Sequence, residues 1–343
     1  MKILLDHDSP FFLAHGGHQI QIEQTGKALA QIGVEVEYMR WWDESQRGDV
    51  IHFFGRPTDT YIGFAHRKGM SVVMGELLTA MGSRSTVRRW MQRTSTRLCK
   101  WLLPTSFTGR FSWESFRLAD ACIALTAWEK HLMLDIFGAQ AARVHVVPNG
   151  VEQAFFDSPE RERGPWLVCT ATITPRKRVL ELAEAAVVAR TPVWVIGKPY
   201  AESDPYHRRF LEVAHAHREF VRFEGAINDR VRLAEVYREA RGVVLLSTME
   251  SLSLTALEAA ACECPLLLSD LPWARTVFGN VATYCPITGS VRKTAAALRS
   301  FYEAAPRLPV PPKPLSWIEV ARKLQAVYES LPSASYDSHS PIA

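Results

Sequence analysis

Two glutamates eight residues apart, Glu250 and Glu258, are the side chains of this sequence best placed for chemistry. Glu250 stands in a Ser/Thr-rich turn after the apolar run 243–246, and Glu258 stands in an Ala/Leu-rich stretch that predicts a helix. Eight residues correspond to about two helical turns plus a cap. Both carboxylates can therefore point into one cleft at the carboxyl end of a strand, where open α/β sheets place their ligands. A pair of carboxylates there suits a ligand with vicinal hydroxyls, because each carboxylate accepts two hydrogen bonds.

The spacing of these glutamates resembles the E-x7-E signature of retaining glycosyltransferases, and the chain is similar to glycosyltransferase family 4. The Pro-Asn-Gly-Val element at 148–151 resembles the end of the first domain in that family. The resemblance implies that Glu250 faces the transferred sugar and that Glu258 faces the ribose of the donor. It also implies the GT-B fold, an α/β class in which two Rossmann-like α/β/α domains face each other across a cleft.

A basic segment follows the first predicted strand of the second half of the chain. Family 4 members usually carry an Arg and, five residues later, a Lys, and the two cations clamp the pyrophosphate of the donor. Lys177 aligns with the Lys, whereas Thr172 stands at the Arg position, and Arg176 or Arg178 is left to supply the missing charge. A departing diphosphate needs cations or a metal to take up its developing charge. We therefore predict catalytic roles for Lys177 and Glu250.

Further donor contacts are predicted at two loops. Gly16 and Gly17 lie between the first strand and the first helix, where glycine lets the backbone approach a ligand and a helix N-terminus favours an anion. The family has glycines after its first signature glutamate, but this chain has Ser-Leu-Ser-Leu at 251–254, whose serines either donate to a ligand or cap the helix. The predicted donor-binding residues are Gly16, Gly17, Thr172, Arg176, Lys177, Glu250, Ser251, Ser253, Leu254, Thr255 and Glu258.

A histidine that family 4 often carries near the reacting sugar is replaced here by Gly75, directly after the predicted strand 71–74. His52, at the end of the predicted strand 49–53, and Glu76 are the candidates to take its place. We predict His52 as the third catalytic residue. In the family the leaving phosphate helps to deprotonate the acceptor, so an enzymic nucleophile is not expected.

The segment 77–113 contains seven basic residues and no Asp or Glu. Apolar residues recur among its arginines at helical spacing, which predicts a basic amphipathic helix suited to an anionic membrane surface or to a phosphate-bearing acceptor such as a polyprenyl-linked sugar. The alternative is an ordinary helix whose apolar stripe packs on the domain while its arginines are solvated. The predicted acceptor or membrane contacts are Arg84, Arg88, Arg89, Trp90 and Arg93.

Composition sets broader limits. A chain of 343 residues is long enough for two ordinary domains, and a net charge of +4 does not indicate a nucleic-acid partner. Runs of about 18 apolar residues are absent, so we expect no membrane span. The six scattered cysteines lack a C-x-x-C pair, which favours free thiols in a reducing cytoplasm over a zinc site. We expect a cytoplasmic protein, with the inner face of the membrane as a second location.

Strand and helix patterns alternate through both halves, which predicts parallel α/β architecture. The charged segment 157–165 carries two prolines and is the predicted linker, and the proline-rich segment 305–314 is a predicted stiff connector. The predicted parts are an acceptor-side domain at 1–160, a nucleotide-sugar-binding domain at 161–312, a helix crossing back to the first domain at 313–332, and a disordered tail at 333–343.

Together the motifs predict a retaining glycosyltransferase that moves a hexose from a nucleoside-diphosphate sugar to a hydroxyl acceptor, such as a lipid-linked or cell-envelope glycan. The resemblance implies no metal and no cofactor beyond the donor substrate. The departures at Thr172, Gly75 and 251–254 leave two alternatives open. One is a nucleotide-sugar-binding protein without activity, and the other is a GT-B sugar isomerase or phosphorylase.

Overall fold

A computed structural model describes residues 1–8, 11, 16–81, 86–102, 111–157, 159, 161–287 and 289–332. The chain divides into two compact units, one formed by residues 1–149 together with the chain from Trp317 onward, the other by residues 150–316. The strands are β1 (Lys2–His7), β2 (Glu35–Tyr38), β3 (Val50–Phe54), β4 (Ser71–Met74), β5 (Ala121–Ala124), β6 (Val144–Val146), β7 (Leu167–Thr170), β8 (Val193–Ile196), β9 (Val221–Phe223), β10 (Gly242–Leu245), β11 (Leu266–Ser269) and β12 (Thr283–Cys285).

Helices connect most of these strands. The α-helices are α1 (Gly17–Gln31), α2 (Asp59–Arg67), α3 (Thr86–Leu102), α4 (Ser115–Leu118), α5 (Ala127–Asp135), α6 (Gln153–Asp157), α7 (Val179–Ala189), α8 (Pro205–Ala216), α9 (Arg230–Glu239), α10 (Leu254–Ala261), α11 (Pro272–Phe278), α12 (Val291–Ala304) and α13 (Trp317–Glu329). Short 3₁₀ turns occur at Thr79–Met81, Ala141–Arg143, Pro175–Lys177 and Ala305–Arg307.

The first unit is built on a six-stranded parallel sheet in the order β2-β1-β3-β4-β5-β6. Its central strands β3 and β4 are buried along their whole length, as apolar runs covered on both faces of a parallel sheet require. Helix α13, although it ends the described chain, packs on α1 in this unit. The tail predicted at 333–343 lies outside the described residues.

The second unit has a six-stranded parallel sheet in the order β12-β11-β10-β7-β8-β9. Val243 of β10 lies opposite Val168 of β7. The loops that follow these two strands therefore leave the sheet side by side at its carboxyl edge. Gly197, after β8, approaches the same edge so closely that a Cβ placed there would lie 1.9 Å from the carbonyl oxygen of Ala171.

The junctions between the compact units differ from the predicted boundaries at 160 and 312, because the charged segment after 150 is bonded to the second unit. The side chain of Phe155 is fully buried beside Tyr237, with 6.0 Å between ring centroids. Arg161 forms ion pairs with Glu235 and Glu239 of α9 at 2.7 and 2.9 Å. At the other end, the amide of Val151 donates to the carbonyl of Leu315 at 2.9 Å. The composition of 157–165 predicts a linker, but Arg161 in this segment pairs with two glutamates of the second unit.

The α/β class and the two Rossmann-like domains predicted from the sequence are confirmed. In the described part of the chain, no helix combines the length and the apolar character that crossing a membrane would need.

Candidate functional site

The loops after β7 and β10 form the centre of the candidate site. The amide of Thr248 donates to the carbonyl of Arg176 at 2.8 Å, and the Arg176 guanidinium donates to the carbonyl of Met249 at 3.2 Å. These bonds bring the Lys177 ammonium into an ion pair with Glu250, whose Oε1 also lies 3.4 Å from Arg176 Nη1. We call Arg176, Lys177 and Glu250 the Glu250 cluster. The structure thus brings together three residues that sequence analysis assigned to the donor.

The charge balance of the Glu250 cluster favours an anionic ligand. Two cations face one carboxylate, so the cluster carries a net charge of +1 (two minus one). The Lys177 and Glu250 side chains are only 16% and 13% exposed, which strengthens their electrostatic interactions relative to those in bulk water. A phosphate oxygen can therefore replace Glu250 as the partner of Lys177 and leave the carboxylate to accept from sugar hydroxyls.

The structure distinguishes between Arg176 and Arg178, the two candidates to supply the positive charge that Thr172 lacks. Arg178 is buried, has a left-handed backbone with φ of 54°, and donates from its guanidinium to the carbonyl of Ile287 at 2.8 Å. Arg176 instead points toward Glu250. Arg176 is therefore the arginine that supplies a second cation beside Lys177.

One serine of the loop between Glu250 and α10 has the capping role that the sequence predicts. The Ser253 hydroxyl accepts from the amide of Ala256, so it caps α10 as predicted. The Thr255 hydroxyl donates to the carbonyl of Thr170 at 3.2 Å, which ties α10 to the end of β7. Ser251 is buried, and Leu254 is half-buried. The donor contacts of this loop stay predictions.

Glu258 lies inside the second unit, paired with a cation that sequence analysis missed. Its side chain is 6% exposed and forms an ion pair with Arg230 of α9. The Arg230 guanidinium also donates to Glu152 at 2.8 Å and lies 4.8 Å from the centroid of the Phe155 ring. Burial raises the pKa of the Glu258 carboxyl, while the positive charge of Arg230 opposes that rise. Glu152 and Arg230 precede Glu258 by 106 and 28 residues, so no local spacing could have indicated them.

The other predicted residues lie in the first unit. Gly16 is the N-cap of α1 with φ of 146°, a conformation that favours glycine, and Gly17 is the first residue of that helix. Their contact with the donor stays a prediction. Glu76, the alternative to His52, is half-buried and pairs with Arg56 at 3.4 Å.

His52 is 2% exposed and lies next to the backbone of Gly75. A Cβ placed on Gly75 would lie 3.5 Å from His52 Nε2, so the imidazole extends toward the position where the family histidine is absent. His52 Nδ1 lies 2.6 Å from the hydroxyl of Tyr328, and its ring stacks on Phe54 at 4.2 Å. Burial lowers the pKa of His52 to about 3, so the ring is neutral at physiological pH. Its catalytic role stays a prediction.

A small cavity of about 20 Å³ adjoins this histidine in the first unit. It is lined by His52, Gly75, Asn149 and Trp317 among others. This volume accommodates about one water molecule. A sugar ring therefore does not fit in this cavity.

The low pKa of His52 predicts acid sensitivity of the fold. The unfolded chain takes up a proton on this ring near pH 6.5, whereas the folded chain does so only near pH 3. The free energy of unfolding should therefore fall as pH is lowered from 6.5 toward 3, with a slope of about one proton. Denaturant titrations of the parent and of His52→Leu across this range would measure the slope. It should shrink in His52→Leu but persist when the exposed His131 is replaced by Leu; equal slopes in the parent and His52→Leu would contradict the assignment.

Helix α3 confirms the amphipathic helix predicted in the basic segment. Its apolar side faces outward, whereas an ordinary surface helix turns its apolar side toward its own domain. Arg93 pairs with Asp135 at 2.8 Å, and the Arg89 guanidinium lies 4.5 Å from the centroid of the Trp128 ring. Trp90, by contrast, is 63% exposed. The alternative in which the apolar stripe packs on the domain is therefore wrong. Arg84, also predicted to contact an acceptor or membrane, lies outside the described residues.

Comparison with known families bears on the second unit. Residues 164–304, which contain both signature glutamates and the Glu250 cluster, match the model of the family described as Glycosyl transferases group 1. These residues form a group 1 glycosyltransferase domain. The family resemblance predicted from the sequence is thereby confirmed at this level. In the described residues, His, Cys, Asp and Glu side chains form no group of three or more that could hold a metal ion.

Curated relatives match this chain over part of their length. The D-inositol 3-phosphate glycosyltransferase of Nocardia farcinica is 29% identical over 197 residues, which cover 50% of this chain and 42% of the relative. The enzyme of the same name from Kribbella flavida is 32% identical over 199 residues, covering 50% of this chain and 45% of the relative. The matched segments therefore span less than half of the relatives' length.

Solved structures extend the likeness to both units. Anabaena Alr3699/HepE in complex with UDP has a TM-score of 0.65 at 13% identity, covering 96% of this chain and 100% of that chain. Sucrose-phosphate synthase from Thermosynechococcus elongatus has a TM-score of 0.66 at 16% identity, covering 96% of this chain and 98% of that chain. At such identities the likeness shows the fold, which is GT-B.

Proposed function

We propose that this chain is a retaining glycosyltransferase that moves a hexose from a nucleoside-diphosphate sugar to a hydroxyl acceptor. The Glu250 cluster carries the proposal, because it places two cations and a carboxylate together at the carboxyl edge of the sheet in a group 1 domain. A sugar and a diphosphate are the two halves of such a donor, and the cluster contains a suitable partner for each.

The cluster suggests how transfer proceeds. Lys177 and Arg176 take up negative charge as the bond between the anomeric carbon and the diphosphate oxygen breaks. Glu250 accepts from hydroxyls of the hexose and holds the ring in place. The acceptor oxygen forms the new glycosidic bond on the face that the diphosphate leaves, and a phosphate oxygen takes the acceptor proton. This route retains the configuration at the anomeric carbon.

The choice of donor to test first comes from the structural neighbours. Alr3699/HepE was solved with UDP, with UDP and glucose, and with UDP-glucose. We therefore propose a UDP-hexose as the donor. We propose a glycan hydroxyl, carried on a lipid or in the cell envelope, as the acceptor.

Donor binding tests the proposal through thermal stability. A donor present at 100 times its dissociation constant should stabilise the chain by about 2.7 kcal/mol. We would compare UDP-, GDP-, ADP- and dTDP-sugars on the parent, on Glu250→Gln and, as a matched control, on Glu263→Gln, whose carboxylate is exposed. The expected result is a shift with one base that is lost or reduced in Glu250→Gln alone.

Turnover separates a transferase from a binding protein. Release of the nucleoside diphosphate together with a glycosylated acceptor whose anomeric configuration matches that of the donor would support the proposal. Binding without release, even with a panel of acceptors, would favour a nucleotide-sugar-binding protein without activity. No thermal shift with any of the four donors would overturn the donor site itself.

A further inference from the structure

Helix α3 has an apolar stripe that faces away from the unit that carries it. Val87, Trp90, Met91, Leu98 and Leu102 are 49–65% exposed. At 100° per residue these side chains, with Thr94 between them, fall on one face of the helix. Large apolar side chains clustered on an exposed face mark an interaction surface. We call this face, Val87–Leu102, the α3 stripe.

The opposite side of the helix fixes this orientation through polar contacts. Thr96 is buried, and Arg93 forms an ion pair with Asp135 at 2.8 Å. Arg97, which lies at the margin of the stripe, also donates to the carbonyl of Asp135 at 3.4 Å. Arg89 stacks on Trp128. Among the described residues, the contacts that dock the helix are polar and the stripe is left exposed. An exposed apolar face of this kind suits a partner.

The charges around the stripe indicate the kind of partner. Arg88 and Arg97 are both exposed and fall on opposite margins of the stripe. Between residues 77 and 113 the sequence contains no acid, and the acid that α3 contacts, Asp135, is paired with Arg93. Positive charge therefore predominates beside the stripe. Trp90 and Leu98 lie on the same open surface of α3 as Arg93 and Arg97, so apolar and positively charged side chains adjoin there. An acyl chain and its phosphate have this same combination of apolar and anionic groups.

We propose that the α3 stripe docks on an anionic phospholipid bilayer, with the helix parallel to the surface. Helices of this type bury their apolar face about 5–10 Å into the boundary between headgroups and acyl chains, while flanking arginines reach the phosphates. Trp90 suits the same depth, because its ring is amphipathic. A second copy of the chain is a poorer partner, because pairing two stripes face to face would bring Arg88 and Arg97 of one copy close to those of the other.

Vesicle co-sedimentation tests the docking without reference to transfer activity. The probes are vesicles of phosphatidylcholine and vesicles of phosphatidylcholine mixed with phosphatidylglycerol. The parent should bind the mixed vesicles, bind the neutral vesicles far more weakly, and lose affinity as salt rises. Trp90→Ser combined with Leu98→Ser should weaken binding to mixed vesicles by at least about tenfold. Arg88→Gln combined with Arg97→Gln should weaken it by about fivefold per arginine.

A matched control separates the stripe from exposed aromatic surface in general. Trp42→Ser removes a side chain that is 82% exposed in the same unit, and it should bind mixed vesicles as the parent does. Thermal melts of all variants would establish that they are folded. Equal binding to both kinds of vesicle, or unchanged binding of Trp90→Ser/Leu98→Ser, would overturn the proposal. A dimer in analytical ultracentrifugation that dissociates in that double variant would assign the stripe to a second copy and overturn it as well.

Discussion

Replacing Lys177 by methionine should lower kcat for transfer from the nucleotide-sugar by about 100- to 1,000-fold, the usual effect of removing one preorganised group that stabilises developing charge. Methionine keeps much of the aliphatic stem but removes the ammonium that pairs with Glu250. Arg176 remains near the carboxylate at 3.4 Å, so donor binding should weaken less than catalysis. Initial rates at several donor concentrations would separate the two effects.

The division between kcat and KM decides what Lys177 does. If the ammonium acts mainly on the departing diphosphate, kcat falls and KM changes little; if it binds the donor equally in the ground state and the transition state, KM rises and kcat stays. The matched control is Lys293→Met, an exposed lysine of α12 in the same unit, which should retain parental rates. Parental kcat in Lys177→Met would contradict the role proposed for the Glu250 cluster.

Local patterns predicted much of the fold. The sequence predicts a helix at 179–189 and strands at 71–74, 193–196 and 221–223, and α7, β4, β8 and β9 have these bounds. The sequence also predicts a helix at 232–240, and α9 begins two residues earlier, at Arg230. The reason is that the side chain of Asp229 caps it by accepting from the amides of Val231 and Arg232. Such a cap lies outside the apolar periodicity from which the helix was predicted.

Long-range contacts account for what the sequence could not predict. The Glu250 cluster could be anticipated because its members follow two parallel strands, and topology places such loops together. The pairing of Glu258 with Arg230, and the burial of His52 against Tyr328 from a helix 276 residues away, depend on tertiary packing. The orientation of α3 was equally hidden, because periodicity identifies an apolar face without indicating whether that face is inward or outward.

Replacing Arg230 by methionine should lower the free energy of unfolding by about 3–5 kcal/mol at neutral pH, because it leaves the Glu258 carboxylate buried without a compensating charge. The same change removes the guanidinium that lies over Phe155. Denaturant titration would measure the loss. Arg232→Met is the matched control in the same helix. Its side chain is 46% exposed in its ion pair with Glu235 at 2.8 Å, so the effect should stay within about 0.5 kcal/mol.

The pH dependence of the loss should identify Glu258 as its cause. Burial raises the pKa of this carboxyl in the folded parent above the ordinary 4.5, and removal of the Arg230 charge, which opposes that rise, should raise it further. A group with a raised folded pKa contributes stability that is present below its unfolded pKa and lost as pH rises through the folded value. The difference in unfolding free energy between parent and Arg230→Met should therefore be widest at neutral pH and narrow as pH falls toward 4.5. A constant difference would assign the loss to packing instead.

A double variant separates the structural role of the pair from its role toward the donor. Arg230→Met combined with Glu258→Met replaces a buried ion pair by apolar side chains of similar volume, which is often neutral for stability. The double variant should therefore recover most of the stability lost in Arg230→Met, yet bind the donor poorly, since the predicted ribose contact at Glu258 is gone. Recovery of stability together with parental donor binding would mean that Glu258 acts in folding alone. Failure to recover stability would instead point to the other contacts of Arg230, with Glu152 and with the Phe155 ring, which the double variant does not restore.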